Sequence, residues 1–368
     1  MALQIEQLDD LVHSIHKRFD GEPGKHQDIS MPLQEYHYAS RLFDLAKRDA
    51  MESDRCRWKL QVRNNDNFQV VGLYHRDSSS RVNMMEEGDI IWGMSTTNYH
   101  YDLDEATFRQ GGRAIYDYMT QQEMSMMKDY FAGMENLMFG AGPGAITDTP
   151  FPPVSLLHWI TSTSDSTTEN NASEGFNGAE PLGFGSVGVG SISTSSFPAW
   201  KNRTFPYTQV TMIDMVRKTI RAMNKCMFKA PIRLPNIVSQ DRPNWELLTT
   251  YSRIELIDEL QQLQNENLGK DLFTGGTTIK GVELKDIPAW TNTNSANART
   301  DGVILGVNWA TFKWKHNAGR TMRKNKAYQH KDMANVRIRK MDDAGQIVCF
   351  DRRANFRGYS DVAVTETD

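Results

Sequence analysis

Ile115, Met119, Met126, Tyr130, Met134 and Leu137 recur at spacings of three, four or seven residues, the signature of one apolar face on a helix. Asp102 followed by Glu105 offers a capping-box-like start. Gly140, Gly142, Pro143 and Gly144 stop the run, because glycine suits the left-handed C-terminal turn and proline cannot continue a helix. The pattern predicts a single helix over 102–139, roughly 50 Å long at about 1.5 Å per residue. Gly111 and Gly112 interrupt it near the start, each costing about 1 kcal/mol relative to alanine inside a helix. Either the helix begins at Arg113, or the pair marks a bend in a helix that must change shape.

Upstream, the pattern changes period. Alternation with β-branched and aromatic content predicts strands at 58–62, 70–75, 89–92 and 98–101, punctuated by the turn cluster at 64–67 and polar stretches at 77–80 and 86–88. The simplest arrangement is an extended hairpin projecting from the body, and a bare two-stranded hairpin needs a neighbour to rest on. Residues 1–57 predict two helices, 8–19 and 32–51, with little apolar surface for a core of their own, so the segment reads as an arm. Downstream, the pattern predicts a strand at 154–161, an exposed loop at 163–178 and a helix at 208–227. That helix would bury Met212, Val216, Ile220, Met223 and Met227 and line another side with Lys218, Arg221 and Lys225. Ile237 and Val238 form a short strand-like pair. Pro243 would start a third helix reaching Gln264, with Leu247, Tyr251, Ile254 and Leu260 inward. Strands follow at 277–284 and 302–307, joined by a loop at 291–301. Two more, 336–341 and 346–350, flank Asp342-Asp343-Ala344-Gly345, a hairpin-turn sequence. No period of about 20–50 residues repeats, which excludes a solenoid.

Composition adds bounds. The chain has 368 residues, 39% hydrophobic and 24% charged, enough for one large domain or two to three smaller ones. No stretch approaches the apolar run of about 18 residues that a membrane span requires, and the charged N-terminus lacks the apolar core of a signal peptide. Three widely spaced cysteines, Cys56, Cys226 and Cys349, fit a reducing cytosol. A net charge of −4 excludes a uniformly basic nucleic-acid binder but leaves local patches open. Nineteen methionines suit surfaces that repack.

Catalytic signatures are missing: no G-x-x-x-x-G-K-[ST], H-E-x-x-H, C-x-x-C or G-x-S-x-G occurs. His13 and His16 share a helix face without a third ligand nearby, so they read as solvated. Glu86 and Glu87 are strand neighbours pointing to opposite faces, which disfavours an acid–base pair. Asn171-Ala-Ser and Asn202-Arg-Thr match glycosylation acceptors, without the secretory context that gives such matches meaning. Residues 183–190, GFGSVGVG, contain a G-x-G-x-x-G, yet no strand pattern precedes and no helical period follows, so a dinucleotide site is disfavoured and loop packing preferred. No enzyme, cofactor or metal is expected. Between Trp309 and Lys340 lie ten basic residues and a single acid, Asp332. Lys313, Lys315, Arg320, Arg323, Lys324, Lys326, Arg337 and Arg339 are candidates for a solvated face, for pairing with acidic surfaces of neighbouring subunits such as Glu86-Glu87, or for sequence-independent contact with phosphates.

The order of elements is the most telling feature: helical arm, projecting β-loop, one long helix, a Gly/Ser-rich stretch, two shorter helices among strands, and a closing pair of strands. With Trp58–Tyr101 as extended loop, Asp102–Phe139 as spine helix, Trp200-Lys-Asn-Arg ahead of the next helix and the arginine-rich end NVRIRKMDDAGQIVCFDRRANFRGYS, the chain resembles the major capsid proteins of tailed bacteriophages, with the Hong Kong 97-type fold. The resemblance implies an α+β subunit with peripheral and axial domains, divided as N-terminal arm 1–57, extended β-hairpin loop 58–103, peripheral domain 104–205 with spine helix 102–139, axial domain 206–330, and peripheral return strands with the C-terminus at 331–368. It implies self-association as hexamers and pentamers into an icosahedral shell around double-stranded DNA held by non-specific contact. Separate scaffolding, portal and cement proteins would be the partners, no membrane is involved, and the shell would assemble in the host bacterial cytoplasm and persist in the virion. Met84, Met85, Glu86, Glu87 and Ile90 would be inter-subunit residues of the extended loop. Some members weld the shell through an extended-loop lysine. No lysine lies between Lys59 and Lys128, so that crosslink is not expected. Nor is a cleaved N-terminal scaffold segment, the arm being short. An encapsulin-like compartment of the same fold is the alternative, and a nucleotide-binding enzyme using 183–190 a further one.

Overall fold

The computed structural model describes residues 48–63, 66–73, 80–104, 112–140, 143–162, 175–181, 183–207, 212–226, 245–264, 277–287, 290 and 302–360. The arm helix 8–19, most of 32–51, Glu105 and Gly111, the 163–174 part of the exposed loop, Ile237-Val238, Pro243 and the 291–301 loop lie outside them. The strands are β1 Arg48–Met51, β2 Cys56–Gln61, β3 Met85–Ile90, β4 Gly93–Asp102, β5 Arg203–Tyr207, β6 Trp245–Thr249, β7 Thr278–Ile279, β8 Val282–Asp286, β9 Ile304–Asn308, β10 Phe312–Asn317, β11 Arg323–Lys324, β12 Tyr328–Gln329, β13 Val336–Cys349 and β14 Phe356–Ser360. The helices are α1 Gly112–Phe139, α2 Leu156–Trp159, α3 Met212–Cys226 and α4 Tyr251–Gln264. The class is α+β.

β13 is the axis of the first sheet. Its first ten residues pair antiparallel with β4, from Val336 opposite Asp102 to Gly345 opposite Gly93. Its last five pair antiparallel with β10, and β10 pairs in parallel with β1. β11 and β12 flank β13 over 337–342. The hairpin expected at 342–345 is therefore absent, and Asp342 to Gly345 continue one straight strand. The two carboxylates find partners far away instead of turning the chain. Tyr130 donates to Asp343 Oδ2 at 2.7 Å, the Met322 amide donates to Oδ1, and Asn325 donates to Asp342. Gly345 is needed where it is, since a Cβ there would lie 2.1 Å from the Trp314 ring.

α1 covers this sheet. It begins at Gly112, not at Asp102, which ends β4 and accepts from the Asp104 amide. Met119, Glu123, Met126, Tyr130, Met134 and Met138 recur every three or four residues and are buried. At 28 residues the helix is about 42 Å long.

Several other expectations are corrected. Arg48–Met51 is a strand where a helix end was predicted. Residues 154–161 hold the short helix α2 and no strand. Trp245–Thr249, read as the start of a helix, is a strand buried at all five positions between β9 and β8. α4 starts only at Tyr251, which is 54% exposed, and turns Arg253 and Ile257 inward. Lys280 and Gly281, both at positive φ, split the predicted 277–284 strand into the hairpin β7–β8. α3 buries Met215, Thr219, Ala222, Met223 and Cys226, a face rotated by about one residue from the expected one.

The second sheet runs β5-β14-β9-β6-β8-β7. Two strand-to-strand passages join the sheets side by side, β9 into β10 through a 3-10 turn at Trp309–Thr311 and β13 into β14 through another at Arg352–Ala354. Asn355 holds both. Its Oδ1 accepts from the Asn308 amide at 2.8 Å, and its Nδ2 donates to Thr311 Oγ1 at 3.1 Å and to the Asp351 carbonyl at 3.0 Å. Asn308, Thr311 and Asn355 are all buried. Removing the Asn355 amide leaves several buried groups unpaired, each worth roughly 1–3 kcal/mol. Asn355→Ala is expected to lower unfolding stability by at least that much in urea titration, while Asn325→Ala at the sheet margin costs less.

Candidate functional site

The β2–β3 ribbon leaves the first sheet just before β4, and its root is held from all sides. Trp58 is buried and sits edge-on to Trp159 at 6.0 Å. Gly190, at φ +72°, and Gly88 lie so close to the indole that a Cβ on either would come within 2.6 Å of it. Of the glycines in 183–190, Gly190 is thus the one that admits Trp58, while Gly183 and Gly188 lie against the backbone of Gly144 and Ile192. The stretch contains two 3-10 turns, Gly185–Val187 and Val189–Ser191, with neither the preceding strand nor the following helix of a dinucleotide fingerprint. Ser191 Oγ donates to the Asp89 carbonyl at 3.1 Å, Gln346 Nε2 to the Ile91 carbonyl at 2.8 Å and Trp92 Nε1 to the Ser53 carbonyl at 3.0 Å. Arg55 pairs with Asp89 at 3.0 Å.

Beyond the root, six register pairs run from Cys56 opposite Ile90 to Gln61 opposite Met85, and Val62 extends them by donating to the Met84 carbonyl. Asn67 closes the ribbon again by bonding both the amide and the carbonyl of Ser80. Past that clasp Phe68, Val70 and Leu73 are 92%, 90% and 91% exposed. No strand forms at 70–73; these are tip residues that sequence reasoning misassigned to a strand interior. A cluster of apolar residues among asparagine, glycine and glutamine, with few charges to solvate it, was the available signal.

The loop residues singled out beforehand divide. Met84, Met85 and Glu87 are exposed and Glu86 half-buried. Ile90 is fully buried at the root, so it belongs to the core and is not an interface residue. Even spacing from Glu86 and Gly88 puts it on the inward face.

The basic residues do not form one surface. Lys315 and Arg339 are buried: Lys315 Nζ donates to the Arg57 carbonyl, and Arg339 lies by Tyr99. Lys313 pairs with Asp49 at 3.3 Å and lies over the Phe350 ring. Arg323 pairs with Asp342, and Lys324 makes a short ion pair with the buried Glu123 of α1. Burial, with Glu123 adding to it, holds the Tyr99 phenol above its usual range. Arg337 is half-buried opposite Tyr101. Arg320 and Lys326 are exposed.

Among the described residues no group of three or more His, Cys, Asp or Glu side chains could hold a metal ion. A cleft of about 410 Å³ between β4 and α1 is lined by Asn98, His100, Asp102, Gln122 and Asp129 among others, without a nucleophile–base pair. Ser155 and His158 do touch, at 2.7 Å, but both are buried and His158 Nε2 donates to the Pro143 carbonyl, so the pair is structural. No described helix is long and apolar enough to cross a membrane.

No protein-family model and no curated protein sequence matches the chain. Solved structures do. The capsid of cyanophage A-1(L) superposes with a TM-score of 0.57 at 13% identity, over 92% of this chain and 96% of that one. The capsid of the native GTA particle gives 0.52 at 10% identity over 95% and 98%, and that of the empty GTA particle 0.52 at 10% over 92% and 100%. The chain has the Hong Kong 97-type capsid fold. α1 falls on the stretch expected as the spine helix, and the β2–β3 ribbon on that expected as the extended loop.

Burial raises all three thiols, those of Cys56 and Cys349 to about 12, with Lys315 opposing the shift at Cys56 and Asp89 adding to it. A raised pKa leaves almost no thiolate near pH 8, so a disulfide reagent is expected to titrate none of the three until denaturant is added. Substitution separates root from tip: Ile90→Asp is expected to unfold the subunit in circular dichroism. Met84→Asp and Met85→Asp are expected to leave its unfolding midpoint within about 0.5 kcal/mol of the parent.

Proposed function

We propose that this chain is the major capsid subunit of a tailed bacteriophage, closing as hexamers and pentamers into an icosahedral shell around double-stranded DNA. The observation that carries the reading is the extended loop: rooted by Trp58 in the core, yet ending in Phe68, Val70 and Leu73 at 90% exposure or more. Burying a side chain of this size is worth about 1.5–3 kcal/mol, and the chain leaves that gain to be realised against another molecule. A protruding tip that lands elsewhere on the next copy makes a heterologous contact, which closes into rings. The second sheet with α3 and α4 is the axial unit at capsomer centres, and the first sheet with α1 the peripheral unit. Scaffold and portal are separate proteins, and the shell binds DNA through phosphates only.

The capsid fold supports a structural role over an enzymatic one. The test is electron microscopy with sedimentation velocity of the chain expressed alone and with its scaffold. Closed particles or capsomer rings are expected, and Phe68→Asp with Leu73→Asp is expected to yield folded subunits that form neither. A subunit that stays monomeric even with scaffold overturns the reading, and particles filled with protein cargo and no nucleic acid replace the phage head with a compartment.

A further inference from the structure

We infer that the open edge of β4, together with the cleft it shares with α1, is a docking site for an extended basic peptide of a partner protein. The site lies within the single subunit and does not depend on the closing of a shell.

The edge supplies the backbone half of the site. Among the described residues β4 has a neighbour on one side only, β13, over ten unbroken register pairs. The Leu103 amide continues that ladder by donating to the Asn335 carbonyl. Backbone groups alternate in direction along an antiparallel strand, so the odd residues of β4 turn their N–H and C=O toward β13 and the even ones away from it. β13 has the matching parity, since its even residues Val336 and Lys340 accept from the His330 and Asn325 amides on its other side. The amides and carbonyls of Thr96, Asn98 and His100 therefore face outward, and among the described residues they meet no partner. An edge of this kind is a template for another strand, and natural proteins blunt it with lysine, proline or a bulge. Gly93–Asp102 contains none of the three.

The cleft supplies the side-chain half. Its volume of about 410 Å³ falls within the range of ligand clefts, about 300–1,000 Å³. It takes in the end of β4, Asn98 to Asp102, with Tyr118, Gln122 and Asp129 of α1 opposite. Asp102 and Asp129 line it and no lysine or arginine does. Among the described residues neither carboxylate pairs with a cation. The rings of Tyr99, Tyr101 and Tyr118 border the same space. A cationic side chain reaching in from a strand laid on the edge meets carboxylates and tyrosine rings together, the combination that attracts lysine or arginine. In this mode of recognition main-chain bonds give affinity and alternate side chains give specificity.

The probe is a fluorescent octapeptide of alternating threonine and lysine, added to the full chain and followed by anisotropy. Saturable binding is expected. Replacing its lysines by glutamate, or methylating every backbone nitrogen, is expected to weaken binding about tenfold, the loss of a charge contact or of a main-chain bond. His100→Pro removes an outward donor and leaves the ladder to β13 intact, so it is expected to weaken the lysine probe by a similar factor. Asp129→Asn is expected to narrow the gap between the lysine and glutamate probes. Urea midpoints equal to the parent's establish that both variants are folded, and the peptide series decides the matter without any substitution. Equal binding of the methylated probe overturns the edge pairing, and equal binding of the glutamate probe overturns the acidic cleft as the recognition element. No saturable binding, to subunits or to particles, overturns the site altogether. A His100→Pro chain that sediments as a smaller species than the parent without peptide places a second copy on the edge and overturns the basic peptide as its occupant.

Discussion

The amide of Asn355 is the point on which the two halves of the molecule depend. A strand leaving one sheet for another exposes backbone groups at the crossing, and buried groups of that kind must be paired. Two crossings placed side by side pair each other once a bifunctional side chain bridges them, and asparagine offers both a donor and an acceptor. Asn355 serves the Asn308 amide with one end and Thr311 with the other. The fully buried Arg352, one turn away, adds bonds to the Trp159 carbonyl, Thr161 and Asn202. Burial lowers the guanidinium's pKa and Glu180 opposes the shift. The junction thereby fixes how the second sheet is carried relative to the first with polar geometry, not with a greasy contact that could slide.

The spine helix is held on different terms. Its contact stripe is largely methionine, which lacks branching and repacks at low cost. Directional bonds punctuate it, among them Glu123 with Lys324, Tyr130 with Asp343 and, at its end, the Trp290 indole donating to the Phe139 carbonyl. Glu123 and Tyr130 are seven residues apart, two helical turns on the same face. Both reach elements clustered at one part of the sheet, the 322–324 stretch and the middle of β13. The helix is therefore pinned near its middle and again at Phe139, where Trp290 holds both the ring and the carbonyl, with methionines packing between.

How much of this was legible follows from which interactions are local. The spine helix was readable because Met119, Met126, Tyr130 and Met134 repeat within one element, and the ribbon because alternation at Trp58–Leu60 does the same. Trp245–Thr249 was misread because a strand buried on both faces has no alternation, and Leu247, Tyr251 and Ile254 happen to fit a helical period. Asp342-Asp343-Ala344-Gly345 carries a turn's composition, but its carboxylates answer to Tyr130 and Asn325, and partners so remote leave no trace in the neighbouring residues. The glycines of 183–190 were read as packing glycines, yet nothing around Gly190 names Trp58, more than a hundred positions earlier. Among the site residues, Ile90 failed for a reason visible in retrospect: a strand entering a core turns every second residue inward, and the register that exposes Met85 and Glu87 turns Ile90 to the buried face.

A ribbon so firmly rooted and so apolar at its end is costly for an isolated subunit. Exposed apolar residues at a loop tip invite aggregation, and rigid anchoring removes the option of folding them back onto the body. Anchoring does lower the entropy lost on association, since a preorganised tip has less freedom to surrender. Exposure and rigidity together favour an element whose partner is always another molecule. The same logic explains the polar root: bonds from Ser191, Gln346 and Arg55 give the ribbon a direction, which a hydrophobic collar alone would not. Direction matters in a closed array, because each contact's angle is multiplied around the ring, and a tip that wandered would spread the copies over many incompatible closures.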